Sequence, residues 1–131
     1  MSYAIMVFVG GGLGSMARYG VNLLAASWLG TAFPYGTLAV NALGGLVMGL
    51  FTGLITPYLD LKAALELRVL LVTGFLGGFT TFSAFSLDAV VLWEKGAIAE
   101  ALFYVLASLV LAIGGVALGL ALGLALTRAP V

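Results

Sequence analysis

Five basic and five acidic residues are so placed that uncharged runs extend over residues 1–17, 19–59, 69–87 and 101–127. One bilayer-crossing helix needs about 20 predominantly apolar residues, so four such helices fit and little chain is left for a soluble domain. Only 8% of the 131 residues are charged and 63% are apolar. A typical soluble domain carries roughly 25% charged residues, and this deficit is too large for a water-exposed surface. The expected fold is an all-α membrane protein forming one domain over 1–131, with helices at about 3–29, 35–57, 67–94 and 97–127, and its expected place is a membrane that it crosses several times. The segment Met1–Met6 lacks a basic leader, and Arg18 interrupts what would be the apolar core of a signal peptide, so the first helix is expected to be retained.

The residue types present exclude several chemistries. There is no cysteine and no histidine, which removes disulfides, thiol chemistry, imidazole proton relays and the commonest transition-metal sites. The net charge of zero offers no footprint for nucleic acid. An enzyme is not expected, because no second buried carboxylate accompanies Asp88 and no nucleophile and base pair is available.

Within this apolar background the third span carries a polar interruption, Gly77-Gly78-Phe79-Thr80-Thr81-Phe82-Ser83-Ala84-Phe85-Ser86. Two adjacent glycines followed by hydroxyl and phenyl side chains are poorly suited to a smooth helix in lipid. Each unsatisfied backbone group in hydrocarbon costs several kcal/mol, so a broken helix persists only where protein, water or an ion satisfies the freed groups. A break at the glycine pair would free carbonyls that suit Na+ or another hard cation. The Thr80, Thr81, Ser83 and Ser86 hydroxyls would add donors and acceptors. Phe82 and Phe85, three apart, could turn positive ring edges toward an anion. The plainer alternative is a kinked helix whose hydroxyls bond back to its own backbone and whose phenyl rings are ordinary packing.

Other features are read in the same double way. Gly10 and Gly14, with Gly11 and Ser15, form small-residue faces that allow close helix approach, and Gly45, Gly49 and Gly53 do so on the second span. Arg18 lies deep enough to require protein or a watery vestibule, or else snorkels to the interface. Thr37 and Asn41 share a helix face, and the Asn41 carboxamide either makes an interhelical hydrogen bond or offers N–H donors to an anion. Tyr104 and Ser108 share a face of the fourth span, which repeats the glycine spacing at Gly115, Gly119 and Gly123. The segment 43–53 aligns with 113–123, and with 19 glycines in the chain coincidence or a shared packing demand explains this better than a repeat. The charged segment Tyr58–Arg68 reads as a solvated or interfacial turn.

The interruption resembles the third-helix signature of the Fluc fluoride channels, also called the CrcB family. The resemblance continues in Gly10-Gly11-Gly12-Leu13-Gly14-Ser15-Met16-Ala17-Arg18-Tyr19 and in Gly36-Thr37-Leu38-Ala39-Val40-Asn41, and it covers essentially the whole chain. It departs at Ala84, where the pattern more often has a threonine hydroxyl, and at Asp88, often the longer glutamate. The resemblance implies an antiparallel homodimer in lipid with two fluoride pathways, passive and selective over chloride, exporting cytoplasmic fluoride and relieving its toxicity. By similarity Phe82 and Phe85 present ring edges to fluoride and Asn41 donates a hydrogen bond. Thr37, Thr81, Ser83, Tyr104 and Ser108 line the polar path, and Arg18 stands by the vestibule. The Gly77 and Thr80 carbonyls of both subunits hold one central structural Na+.

Two other functions compete. A small dual-topology multidrug exporter needs a membrane-embedded carboxylate in its first helix, where this chain has only Arg18. A non-conducting membrane anchor subunit would use the glycine faces to dock a partner.

Lys62, Arg68 and Arg128 fall on the side of the termini, against Lys95 and Arg18 toward the other, a weak bias under the positive-inside rule. Insertion in both orientations is therefore expected. Reporters fused to the C-terminus and active on only one side of the membrane should both give signal, and a single orientation for all copies would refute dual topology.

Overall fold

The computed structural model describes residues 2–58 and 60–128. Its elements are α1 (Tyr3–Leu29), α2 (Tyr35–Ile55, extended by a 3-10 turn Thr56–Tyr58), α3 (62–79), α4 (Phe82–Glu94) and α5 (Ile98–Arg128). No strand occurs among the described residues. The expectation of four spans holds, with α3 and α4 together making the third, over Lys62–Glu94. All four are long and apolar enough to cross a membrane.

The third span departs from expectation at its start. Lys62–Arg68 is already helical, so the turn ahead of it ends at Leu61. Lys62 and Glu66 pair at 3.8 Å on this first turn, an i,i+4 arrangement that helical geometry favours and that alternating charge in a loop would not need. From Val69 to Leu76 the coil widens into a π-helix. Such wide turns are rare and frequently found beside functional sites.

The helices associate as two parallel pairs through glycine. Along the first, Gly10 lies against Leu70, Gly74 and Phe75, while Gly14 lies against Phe75 and Phe79, so α1 and α3 advance together. Along the second, Gly45 meets Ala112, Gly49 meets Val116 and Leu120, and Gly53 meets Leu120, Gly123 and Leu124 of α5. The α2–α5 contact is the most extensive in the molecule. A Cβ added at Gly49 would stand 2.8 Å from the Leu120 amide nitrogen, and one at Gly53 2.9 Å from the Gly123 Cα. Gly119 and Gly123 face Leu46 and Leu50 in return. The likeness of 43–53 to 113–123 is thus one demand met twice: each stripe is the groove that receives the other backbone. With lipid tails as apolar as leucine, such dispersion contact is what drives helix association in a bilayer.

Buried side chains are few. Phe85, Leu92, Ala101 and Tyr104 form a small cluster between α4 and α5, closed by Phe33 from the α1–α2 connection. Phe33 meets the Tyr104 ring edge-on, centroids 5.6 Å apart at 89°. Large exposed apolar residues occur on all four spans, for example Phe8, Leu43, Leu87 and Val110. That distribution suits a chain whose outer solvent is lipid.

Enlarging Gly49 should therefore separate α2 from α5. Gly49→Val is expected to cost about 1 to 3 kcal/mol, or more if neither backbone yields. The check is the temperature at which the detergent-purified protein loses its size-exclusion peak, with exposed Gly114→Val, which has open space around it, as the silent control.

Candidate functional site

The interruption is a true break in the helix, but it does not fall at the glycine pair. Gly77–Phe79 remains helical, and Thr80 (φ −78°, ψ 159°) and Thr81 (φ −153°, ψ 126°) are the extended residues. The glycines serve close approach instead: Gly78 lies against the Gly11 backbone, and the Ser15 hydroxyl donates to the Gly78 carbonyl at 3.4 Å.

What opens the chain is competition for two amides. In a continuing α-helix the Thr81 N–H would bond the Gly77 carbonyl and the Ala84 N–H the Thr80 carbonyl. The Asn41 Oδ1 takes the Thr81 N–H at 2.8 Å, and the Thr81 Oγ1 takes the Ala84 N–H at 3.2 Å as the N-cap of α4. Asn41 Nδ2 also donates to the Thr81 carbonyl at 2.9 Å. A single carboxamide on α2 thus pairs with both polar groups of one residue, as a neighbouring strand would. The Gly77 and Thr80 carbonyls lose their helical donors in consequence. Gly77 is exposed on the surface of the chain and Thr80 half-buried.

Some of the hydroxyls do bond back to their own coil: Thr80 Oγ1 donates to the Leu76 carbonyl at 2.9 Å, and Ser86 Oγ to the Phe82 carbonyl at 2.9 Å. Thr81 does not. Its Oγ1 also lies 3.3 Å from the exposed Ser83 hydroxyl, so two hydroxyls gather at the start of α4.

Of two cavities in this half of the molecule, the second opens onto the break. One, of about 380 Å³, opens between the end of α1, the start of α2 and the end of α4, and is lined by Asn22, Gly36, Thr37, Ala84, Asp88 and Lys95 among others. The second, of about 510 Å³, is lined by Asn41, Thr80, Thr81, Phe82, Phe85 and Ser108 and continues over an apolar floor along α5. Thr37 faces the first and Asn41 the second, one turn apart on α2. Between them lies a buried polar layer. Tyr104, wholly buried, donates to Asp88 Oδ2 at 3.2 Å. One turn on, the Ser108 hydroxyl is buried without a hydrogen-bond partner among the described residues. An unmet buried hydroxyl costs about 1 to 3 kcal/mol.

A family model described as CrcB-like protein, Camphor Resistance (CrcB), matches residues 5–120. The chain belongs to the CrcB family. Among the curated relatives it resembles is "Fluoride-specific ion channel FluC" of Rhodopseudomonas palustris (strain BisB5), 51% identical over 129 residues, which are 97% of this chain and 100% of the relative. The protein of the same name in Rhizobium johnstonii is 52% identical over 121 residues, 92% of this chain and 95% of the relative. That of Paracoccus denitrificans is 52% identical over 119 residues, 91% of this chain and 92% of the relative.

Within this CrcB chain, the residues singled out by sequence fall into distinct surroundings. Asn41, Thr81, Phe82, Phe85 and Ser108 converge on the second cavity, and Thr37 lines the first. The two phenyl rings are neighbours, centroids 5.5 Å apart, yet unequal: Phe85 is 8% exposed and Phe82 76%. Arg18 is half-buried with no ion pair or hydrogen bond among the described residues, and it does not line the first cavity. Asn22, one turn further along α1, does, and Lys95 joins it from the far end of α4. Neither was singled out by sequence. The i,i+4 step from Arg18 to Asn22 was the available signal for the first. The pairing of Asp88 with Tyr104 was legible nowhere, since it joins residues 16 apart across two helices.

Removing the Asn41 carboxamide should leave both Thr81 backbone groups unmet. Asn41→Leu is expected to lower stability by about 2 to 4 kcal/mol on the scale of two lost partners. Hydrogen exchange at Thr81 and Ala84 is the direct check: protection should fall there first, and unchanged protection would show that the break does not depend on Asn41.

Proposed function

We propose that this protein is a passive, fluoride-selective channel of the inner membrane that lets cytoplasmic fluoride leave the cell, and that it works as an antiparallel homodimer. The observation that carries the reading is the near full-length similarity to relatives named fluoride-specific ion channels. A break inside a membrane span, opening onto one cavity with a second beyond a buried polar layer, supplies the physical means.

Fluoride is small and strongly hydrated, so a path for it must replace water with several donors and hold the ion weakly enough to release it. This chain offers such donors in series. Thr37 stands at the first cavity and Ser108 at the second; in the layer between, the Tyr104 phenol donates to Asp88 and serves the path only by turning away from it. Beyond Ser108, the second N–H of Asn41, the Thr81 and Ser83 hydroxyls and the ring edges of Phe85 and Phe82 continue the path. Arg18 is assigned to the vestibule field. An exposed Phe82 on an isolated chain fits a ring completed by a second copy or by lipid.

The Gly77 and Thr80 carbonyls, deprived of their helical donors, suit a hard monovalent cation, and Na+ shared between two copies is the proposed structural ion. Its chemistry when bound is to neutralise carbonyl dipoles and favour anions nearby. The chain's part is to keep those two amides occupied elsewhere, through Asn41 and the Thr81 hydroxyl.

Fluoride release from proteoliposomes, followed with a fluoride electrode, tests the channel directly, and no release above empty liposomes would dismiss it. Phe85→Ile, which alters a buried ring, and Phe82→Ile should each depress flux at least about tenfold, on the scale of one removed electrostatic contact. Flux undiminished in both would end the ring-edge role. Asn41→Asp should block anion flux by placing a like charge on the path.

A further inference from the structure

The first cavity holds two opposite charges that the proposed pathway does not explain together. Asp88 faces it from the middle of α4, and its carboxylate accepts the Tyr104 phenol at 3.2 Å. Lys95 faces it from the turn that ends α4, exposed, with no ion pair among the described residues. No other charged side chain among the described residues lines this cavity: Arg18, Glu94 and Glu100 all lie outside the lining. A carboxylate alone in such a mouth would repel any anion approaching the buried polar layer behind it. Among the described residues of the lining, the lysine is the one cation placed to offset it.

We infer that Lys95 is the charge-setting residue of this mouth, an anion-gathering cation that cancels Asp88 and raises the local concentration of the permeating anion. Asn22 supports it as the neutral wall opposite. A Cβ on Gly36 would collide with the Asn22 carboxamide, so the glycine makes room for that amide where α2 begins. The inference rests on the fluoride-channel reading. Its physics is long-range: low-dielectric walls focus a charge into a cleft, and such fields change encounter rates by about 10- to 1,000-fold in strong cases and fade as salt screens them. Lys95 also sits where substitution is safe for the fold. Its backbone N–H, which donates to the Val91 carbonyl at 3.1 Å, is kept by the replacements used below, and its side chain is exposed.

The test is initial fluoride efflux from proteoliposomes loaded with a few millimolar potassium fluoride plus a potassium ionophore. It is run once in sucrose near ~10 mM ionic strength, where the screening length is about 30 Å, and once near ~0.3 M of an impermeant potassium salt, where it is below about 8 Å. At low ionic strength Lys95→Gln should slow efflux about 3- to 10-fold and Lys95→Glu further, while Lys95→Arg keeps the wild-type rate; in high salt the deficit of Lys95→Gln should shrink to less than about twofold. Wild-type rates in Lys95→Gln and Lys95→Glu at low ionic strength overturn the inference. So does a deficit that high salt leaves unchanged, which would mark a structural role. Absence of efflux from the wild-type protein would instead defeat the channel reading, so the two failures are told apart.

Discussion

One carboxamide decides the character of the third span. Asn41 donates to the Thr81 carbonyl and accepts from the Thr81 amide, taking from the helix the two groups it needs to run on. In water this exchange would be nearly neutral, because solvent would serve either arrangement. In hydrocarbon it is decisive, since every backbone group that leaves the helix must find a fixed partner. The Thr81 hydroxyl completes the substitution by capping α4. Two carbonyls, those of Gly77 and Thr80, are the residue of this trade, and they are the groups to which the proposed Na+ is assigned.

Such a break needs a frame that does not relax around it. The frame is two parallel helix pairs held by glycine: α1 against α3 up to Gly78, and α2 against α5 over Gly45, Gly49 and Gly53. Gly78 fixes the end of α3 against Gly11, while α2 carries Asn41 to the gap. Backbones that touch without intervening side chains leave little room for sliding, so the carboxamide meets Thr81 at hydrogen-bond distance. The π-helical turns of Val69–Leu76 belong to the same fit, because they set the angular position at which Gly74 and Gly78 reach α1.

The site that results is asymmetric. On one side stands a mouth with Asp88 and Lys95; behind it lies a buried layer of hydroxyls around Tyr104; beyond that comes an aromatic and apolar cavity holding the break. The unmet Ser108 hydroxyl and the exposed Phe82 ring are the two places where a single chain leaves a polar or apolar demand open. A small anion and a second copy of the chain are the partners proposed for them.

Much of this was legible in the sequence. The uncharged runs fix four membrane spans, the glycine spacings mark the faces that pack, and the polar run 77–86 locates the interruption, because composition and period are local properties that hydrocarbon enforces strongly. Tertiary structure alone decided that the break falls at Thr80 and Thr81 and not at the glycines, that Lys62–Arg68 is helix, and that Asp88 meets Tyr104. It also separated the buried Phe85 from the exposed Phe82 and set Lys95, but not Arg18, in the wall of the first cavity. Each of these depends on which donor reaches which acceptor across helices, and a hydrogen bond between residues 40 apart leaves no trace in the spacing of either.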